Sequence, residues 1–68
     1  MSDELTARER DVLRAFAEGV SQRETAARLG VGLSTVKRCV VSARLKLGAT
    51  TTTQAVAIAV RRGLLLQG

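Results

Sequence analysis

The sequence predicts an all-α domain of four short helices, the middle two arranged as a helix-turn-helix. The 68 residues contain no proline and no alternation of apolar and polar residues bounded by turns, the pattern typical of a strand. Sequences of the form Ser/Thr-x-x-Glu/Gln, which cap helix N-termini, begin at residues 6, 21 and 51. Glycines stand where the helices would end. A chain of this length is expected to form one domain, residues 1–68.

The first helix is predicted over residues 7–18. Thr6 and Glu9 form its capping box, because each side chain can accept a hydrogen bond from the backbone N–H of the other residue. Gly19 is the predicted stop. The face that we expect to be buried consists of the apolar residues at helical spacing, which are Val12, Leu13 and Phe16.

The second and third helices are predicted over Gln22–Leu29 and Leu33–Leu47, and together they form the helix-turn-helix. Ser21 caps the second helix in a Ser-x-x-Glu sequence. Gly30 can adopt the positive φ that ends it. The buried face of the third helix is predicted to consist of Val36, Val40, Ala43 and Leu47.

The fourth helix is predicted over residues 54–62, after the cap sequence that begins at Thr51. Small apolar residues lie on two of its faces, so we expect it to pack on its own domain and also on a second molecule. The residues expected on that outer side are Val56, Ala59 and Val60.

The charged residues are divided unevenly along the chain. The formal net charge is +5 and the pI is about 11.2, which favours a polyanionic partner. All six acidic residues precede Gly30, and six basic residues but no acidic one follow it. The basic half includes the third helix, whose first turns carry Lys37 and Arg38 and can enter a DNA major groove. Double-stranded DNA is therefore the predicted partner.

Composition argues against several other kinds of function. Cys39 is the single cysteine and the chain has no histidine, so we expect neither an internal disulfide nor a metal site. The N-terminus does not read as a signal peptide and no apolar run reaches 18 residues, which predicts a cytoplasmic protein without a membrane partner. Paired carboxylates and a glycine-rich phosphate loop are also missing. We predict no enzyme activity, no cofactor and no small-molecule ligand.

Short motifs at fixed spacing extend over residues 5–65. They are Leu5-Thr6-x-Arg8-Glu9, Val12-Leu13, Gly19-x-Ser21, Glu24-x-Ala26, Leu29-Gly30-Val31, Ser34-Thr35-Val36-Lys37, Lys46-Leu47-Gly48 and Gln54-Ala55-Val56. Together they resemble the DNA-binding domain of LuxR/GerE-type transcription regulators. The resemblance implies a bacterial regulator with four helices, of which the third reads the major groove and the fourth forms a homodimer on half-sites about one helical turn apart. DNA binding would place it on the nucleoid.

The resemblance also implies roles for individual residues. Base contacts would come from Lys37, Arg38 and Val41. Phosphate contacts would come from Ser21, Gln22, Arg23, Ser34, Thr35 and Lys46. The dimer interface on the fourth helix would consist of Val56, Ala59 and Val60. Positions that look structural in the family are matched by Glu9, Leu13 and Gly19.

Three departures from the family pattern concern the core, the cap of the third helix and the side of that helix that would contact bases. Thr25 stands where the family usually has a buried isoleucine, so we expect a weaker core or a local distortion there. Gly32 replaces a serine that caps the third helix, at a cost on the order of a few tenths of a kcal/mol. Val40 and Val41 stand where polar or basic residues are frequent, which leaves fewer hydrogen-bonding groups for sequence readout.

Two other functions remain open. The first is a protein-interaction module, an antagonist or co-regulator that keeps the fold but binds another regulator or RNA polymerase. The apolar pair Val40 and Val41 favours an interaction module. The basic residues Lys37, Arg38 and Lys46 argue against it. The second is a fragment resembling the promoter-reading part of a sigma factor. The fourth helix argues against this alternative. Because no receiver or ligand-binding domain precedes the module, we expect control through protein amount or a regulatory protein partner.

Overall fold

The computed structural model describes residues 5–65, which form four α-helices and no strand. The helices are α1 (Ala7–Ala17), α2 (Gln22–Leu29), α3 (Leu33–Leu47) and α4 (Thr52–Arg61). The all-α helix-turn-helix prediction is confirmed, and the bounds of α2 and α3 agree with those predicted. Within residues 5–65, none of the helices combines the length and apolar character that a membrane crossing requires. The two ends of the predicted domain, residues 1–4 and 66–68, lie outside the described residues.

The start of α4 differs from the prediction, because the helix begins at Thr52 and not at Gln54. The backbone N–H of Gln54 donates a hydrogen bond of 3.0 Å to the hydroxyl of Thr51. An N-cap side chain accepts from the second or third helical residue, so Thr51 is the N-cap and the helix starts directly after it. Both α1 and α4 also end one residue earlier than expected, with Glu18 and Arg62 as their C-caps.

The three predicted capping sequences form their first hydrogen bond but differ in the second. In α1 the box is complete: the Glu9 N–H donates to the Thr6 hydroxyl at 3.1 Å, and the Thr6 N–H donates to Glu9 Oε1 at 2.9 Å. In α2 the Glu24 N–H donates to the Ser21 hydroxyl at 3.0 Å, whereas the Glu24 carboxylate accepts from Arg28 Nε at 3.3 Å. The cap of α2 is therefore half of a capping box.

In the cap of α4, the second hydrogen bond of the capping box is formed with the residue before the N-cap, and not with the N-cap itself. Gln54 Oε1 accepts hydrogen bonds from the backbone N–H and the hydroxyl of Thr50, each at 2.7 Å. The side chain thus reaches the residue before the N-cap, and it fixes the loop between α3 and α4 as well as the start of the helix.

The core has α3 at its centre. Among the described residues α3 packs against each of the other helices, whereas α2 and α4 do not touch each other. One apolar cluster lies between α1, α3 and α4, and consists of Leu5, Leu13, Ala43, Leu47, Ala49, Ala55, Ile58 and Ala59. The other lies between α1, α2 and α3, and consists of Val12, Ala26, Val36 and Val40 with Phe16, Leu29, Val31 and Cys39 half-buried against it. The buried face predicted for α3 is thus divided between two clusters.

Thr25 is fully buried without leaving its polar group unpaired. Its hydroxyl donates a hydrogen bond of 2.7 Å to the carbonyl of Ser21, which also accepts from the Thr25 N–H at 2.9 Å. Because a buried hydroxyl is costly only when it lacks a partner, this bond removes most of the penalty of placing threonine in the core.

Candidate nucleic-acid interface

The side of α3 that faces away from the core carries the residues predicted to contact bases. Ser34, Arg38, Val41 and Leu45 follow one another at the spacing that places them on one face of a helix. All four are exposed, with Val41 at 45% and Leu45 at 71% of full exposure. We call this the outer face of α3. Lys37 lies beside it and is also exposed.

Two cations, one on the outer face and one beside it, are not neutralised by the described residues. Among residues 5–65, neither Lys37 nor Arg38 has an ion-pair or side-chain hydrogen-bond partner. No acidic residue occurs in the chain after Gly30, so α3 and α4 contribute none. Two unpaired cations on an exposed helix are available to an anionic ligand at no cost in internal ion pairs.

The residues predicted to contact phosphates at the helix starts are accessible to different degrees. Ser21, Gln22 and Arg23, at the start of α2, are all exposed, as is Ser34 in α3. Thr35 is half-buried. Since the N-cap of α3 is Gly32, no side chain accepts a hydrogen bond from its first turn. The first turns of α2 and α3 thus present hydroxyl, amide and backbone donors at the surface.

Lys46, a predicted phosphate contact, is directed at α1. Its Nζ donates a hydrogen bond of 2.9 Å to Oε1 of Glu9, and its side chain is only 25% exposed. The ammonium group holds a buried carboxylate, so Lys46 has a structural role, and its assignment as a phosphate contact stays a prediction.

Glu9 is 5% exposed and has a partner for each oxygen. Oε1 accepts from the Thr6 N–H and from Lys46, and Oε2 accepts from the Ser42 hydroxyl at 2.6 Å. Burial alone would raise the pKa of the carboxyl, but the hydrogen bonds from Ser42, Thr6 and Lys46 and the positive charge of Lys46 together lower the pKa below its ordinary value. The capping box revealed Glu9 in the sequence, but its contacts to α3 carried no sequence signal.

The three residues of α4 that were predicted to form a dimer interface differ in exposure, and one of them is buried. Ala59 is fully buried in the apolar cluster between α1, α3 and α4, so it has no surface to offer a partner. Val60 is 56% exposed and Val56 is half-buried. The exposed side is completed by Thr53 and Ala57. The error arose because residues 59 and 60 are adjacent in sequence but lie about 100° apart around a helix.

Near its end α3 has an unusual order of residues, in which Arg44 is half-buried and Leu45 is exposed. Arg44 Nη1 donates a hydrogen bond of 3.0 Å to the carbonyl of Thr50, in the loop before α4. Sequence reasoning assigned no site role to either residue. The available signal was the spacing of Arg44 from Lys37, which places both on the same side of the helix.

Among the described residues no group of three or more histidine, cysteine, aspartate or glutamate side chains could hold a metal ion. Cys39 is free and half-buried against the apolar cluster of α2 and α3. Its packing is that of a small apolar side chain.

Two comparisons with known proteins agree with the helix-turn-helix fold. The chain matches the family described as bacterial regulatory proteins, luxR family, over residues 3–59. It is also 44% identical over 62 residues to the transcriptional regulatory protein YdfI of Bacillus subtilis (strain 168). That similarity covers 91% of this chain, and the chain spans about 29% of the length of the curated relative.

Proposed function

Because this chain belongs to the luxR family of bacterial regulatory proteins, which are DNA-binding transcription regulators, we propose that it binds double-stranded DNA in a sequence-specific manner through α3. The observation that carries the proposal is that Arg38, on the outer face of α3, and Lys37, beside it, are exposed and have no ion-pair partner among residues 5–65. In this proposal α3 lies in the major groove, with its first turns against the bases.

The outer face has the chemistry needed for base readout. The guanidinium of Arg38 can donate two hydrogen bonds to the O6 and N7 atoms of a guanine, and Lys37 can donate to the same acceptors. Val41 is exposed and apolar, so it suits contact with the methyl group of a thymine. A guanine contact and a thymine contact on one face would favour a mixed half-site.

Backbone contacts in this proposal come from the first turns of the two middle helices. Ser21, Gln22 and Arg23 offer donors at the start of α2, and Ser34 and Thr35 do so at the start of α3. Such contacts fix the position of α3 in the groove without reading sequence. The proposed location is accordingly the nucleoid, in the cytoplasm.

We further propose that α4 pairs two copies of the chain. Thr53, Val56, Ala57 and Val60 recur at the spacing of a helix–helix seam and carry no charge. Pairing through these residues would give a twofold dimer whose α3 helices read two half-sites about one helical turn apart.

A salt titration of binding to random duplex DNA, followed by fluorescence anisotropy, tests the proposal. We expect binding that weakens steeply with salt, because each neutralised phosphate contributes about −0.9 to the slope of log K against log salt. The double variant Lys37→Ala/Arg38→Ala should bind much more weakly. Its matched control is Arg61→Ala/Arg62→Ala, which removes the same charge from exposed positions at the end of α4. An equal loss in both variants would contradict the placement of α3 on DNA.

A protein-interaction module is the second candidate function, and the exposure of Leu45 favours it. An apolar side chain at 71% exposure on the outer face suits a protein partner better than a phosphate. Under this alternative the unsubstituted protein would not bind duplex DNA even at about 50 mM salt, where backbone contacts are strongest.

A further inference from the structure

A cleft on one side of α3 borders the proposed base contacts and extends from them to the start of α4. It has a volume of about 310 Å³ and is open to solvent. It exists because α2 and α4 flank α3 without touching each other among the described residues. Its lining residues are Gln22, Lys37, Val40, Val41, Arg44, Thr50, Thr51 and Thr52. We call it the α3–α4 cleft.

The α3–α4 cleft is cationic and rich in hydrogen-bond donors. Two of its lining residues, Lys37 and Arg44, are positively charged and none is acidic. Lys37 has no ion-pair partner within residues 5–65. Arg44 uses Nη1 to bond the Thr50 carbonyl, and its other guanidinium donors have no protein acceptor among the described residues. Gln22 and Thr52, whose side chains are polar, line the same space.

The cleft lies along one edge of the outer face. Lys37, Val41 and Arg44 follow one another along one edge of that face, at intervals of four and three residues. An α-helix with its side chains is about 10–12 Å across and the major groove is about 12 Å wide, so the edges of an inserted helix meet the phosphates that border the groove.

We propose that the α3–α4 cleft receives one phosphate of the DNA backbone, bound by the guanidinium of Arg44, with Lys37 and Thr52 lining the same space. The proposal rests on the proposed function and adds α4 and the loop before it to the DNA-binding surface. Arg44 bonds both this phosphate and the Thr50 carbonyl, so the same side chain orients the start of α4 and fixes α3 in the groove. Arginine suits this double role because its planar group presents five donors.

The experiment uses a duplex that the purified chain selects from a random pool. Methylphosphonate, a neutral replacement for phosphate, is placed at one backbone position at a time, and binding is measured for the unsubstituted protein and for Arg44→Gln. We expect one position where the replacement weakens binding of the unsubstituted protein and has a much smaller effect on Arg44→Gln. The salt slope of Arg44→Gln should fall by about 0.9, the value for one phosphate.

Two controls separate a local contact from a loss of overall charge or of folding. Arg61→Gln removes the same charge from an exposed position at the other end of α4 and should leave both the methylphosphonate pattern and its coupling unchanged. Arg44→Lys keeps a cation in the cleft and should restore most of the salt slope, whereas a variant that merely misfolds would not be restored. Thermal unfolding of each variant checks that the fold persists.

The possible outcomes are distinguishable. If methylphosphonate effects are independent of Arg44 at every position, or if Arg61→Gln lowers the salt slope as much as Arg44→Gln, the cleft proposal is wrong while DNA binding stands. If the unsubstituted protein selects no duplex, the proposed function and the cleft proposal both fail.

Discussion

At the scale of single residues, the most constrained side chain is Glu9, which completes the cap of α1 and also binds two residues of α3. Its oxygens accept from Thr6, Ser42 and Lys46 at distances of 2.6–2.9 Å. A carboxylate that is 5% exposed stabilises a fold only when every desolvated oxygen has a partner, and here each one does. The contact orients α3 relative to α1, and so it also fixes the direction of the outer face.

Glu9 gives a prediction about pH. Its pKa is lowered in the folded chain, so the ionised form contributes stability that is complete above the unfolded value of about 4.3 and is lost as pH falls through the lower folded value. Glu9→Gln should lower the free energy of unfolding at pH 7 by about 2 kcal/mol, the order of a hydrogen bond to a charged group. The difference between the two proteins should shrink below about pH 4.3.

Urea unfolding at a series of pH values from neutral to acidic measures this effect. Glu24→Gln is the matched control, because Glu24 also pairs with a cation but at more than half exposure. Exposed pairs contribute little, so this variant should change stability by about 0.5 kcal/mol or less. A deficit for Glu9→Gln that stays constant down to low pH would contradict the assigned role of the ionised carboxylate.

The two cations at the start of α3 should differ in what they contribute. We expect Lys37→Ala and Arg38→Ala each to weaken binding to a selected duplex by more than about 1 kcal/mol while helicity is unchanged. Arg38→Ala should in addition relax the preference for guanine at one position, by about 1–3 kcal/mol, if its guanidinium reads a base. Circular dichroism and binding to duplexes with single base changes measure the two effects. Unchanged affinity in both variants would refute the groove placement.

At the scale of elements, the turn between α2 and α3 contains two glycines that serve different purposes. Gly30 has φ +69°, which L-residues other than glycine adopt only at a cost, whereas Gly32 has φ −76°, which any residue can adopt. Space does not distinguish them, because a Cβ at Gly30 would meet nothing within 4 Å and one at Gly32 would meet only the Ser34 hydroxyl, at 3.9 Å.

This difference predicts opposite effects of adding a side chain to the turn. Gly30→Ala should lower the free energy of unfolding by about 1 kcal/mol, because the left-handed conformation is strained for alanine. Gly32→Ser should raise it by about a few tenths of a kcal/mol, because serine can accept a hydrogen bond from the first turn of α3. Chemical denaturation of both variants tests the pair. Equal effects of the same sign would mean that backbone conformation does not decide the role of these glycines.

The bounds of the helices were more predictable from the sequence than the contacts between the helices. Capping and hydrophobic periodicity act over three or four residues, so they predicted α2 and α3 to the residue. The start of α4 was misplaced although its cap, Thr51, had been identified, because the N-cap position was not carried through to the helix start. The contact of Lys46 with Glu9 was not predicted because Glu9 lies in α1, far away in sequence. The base and phosphate assignments at the outer face stay predictions.

At the scale of the whole molecule, charge and apolar surface are divided among different sides. The described acidic residues lie in α1, the loop after it and α2, whereas α3 and α4 carry only cations. The outer face of α3 and the α3–α4 cleft adjoin each other, and the exposed apolar side of α4 is separate from the base-reading residues. Under the proposed function, the base contacts on α3 and the pairing of two copies through α4 would use different residues.

That separation yields a prediction about assembly. Val60→Asp places a charge on the exposed side of α4, where burial against a second copy would leave it without a partner. We expect self-association to weaken by at least about tenfold, which corresponds to about 1.4 kcal/mol, while the free energy of unfolding of the monomer changes little because Val60 is 56% exposed. Sedimentation equilibrium over a range of protein concentrations measures the association.

Leu45→Asp is the matched control, since it makes the same kind of change at a residue that is 71% exposed on the outer face of α3. It should leave self-association unchanged and weaken DNA binding, because the added carboxylate repels phosphates. Val60→Asp should still bind a duplex with one half-site and should lose the extra affinity for two half-sites, because that affinity comes from linking two reading helices in one dimer. If Leu45→Asp instead abolished self-association, the interface would lie on α3, and α3 could not enter a major groove in the dimer.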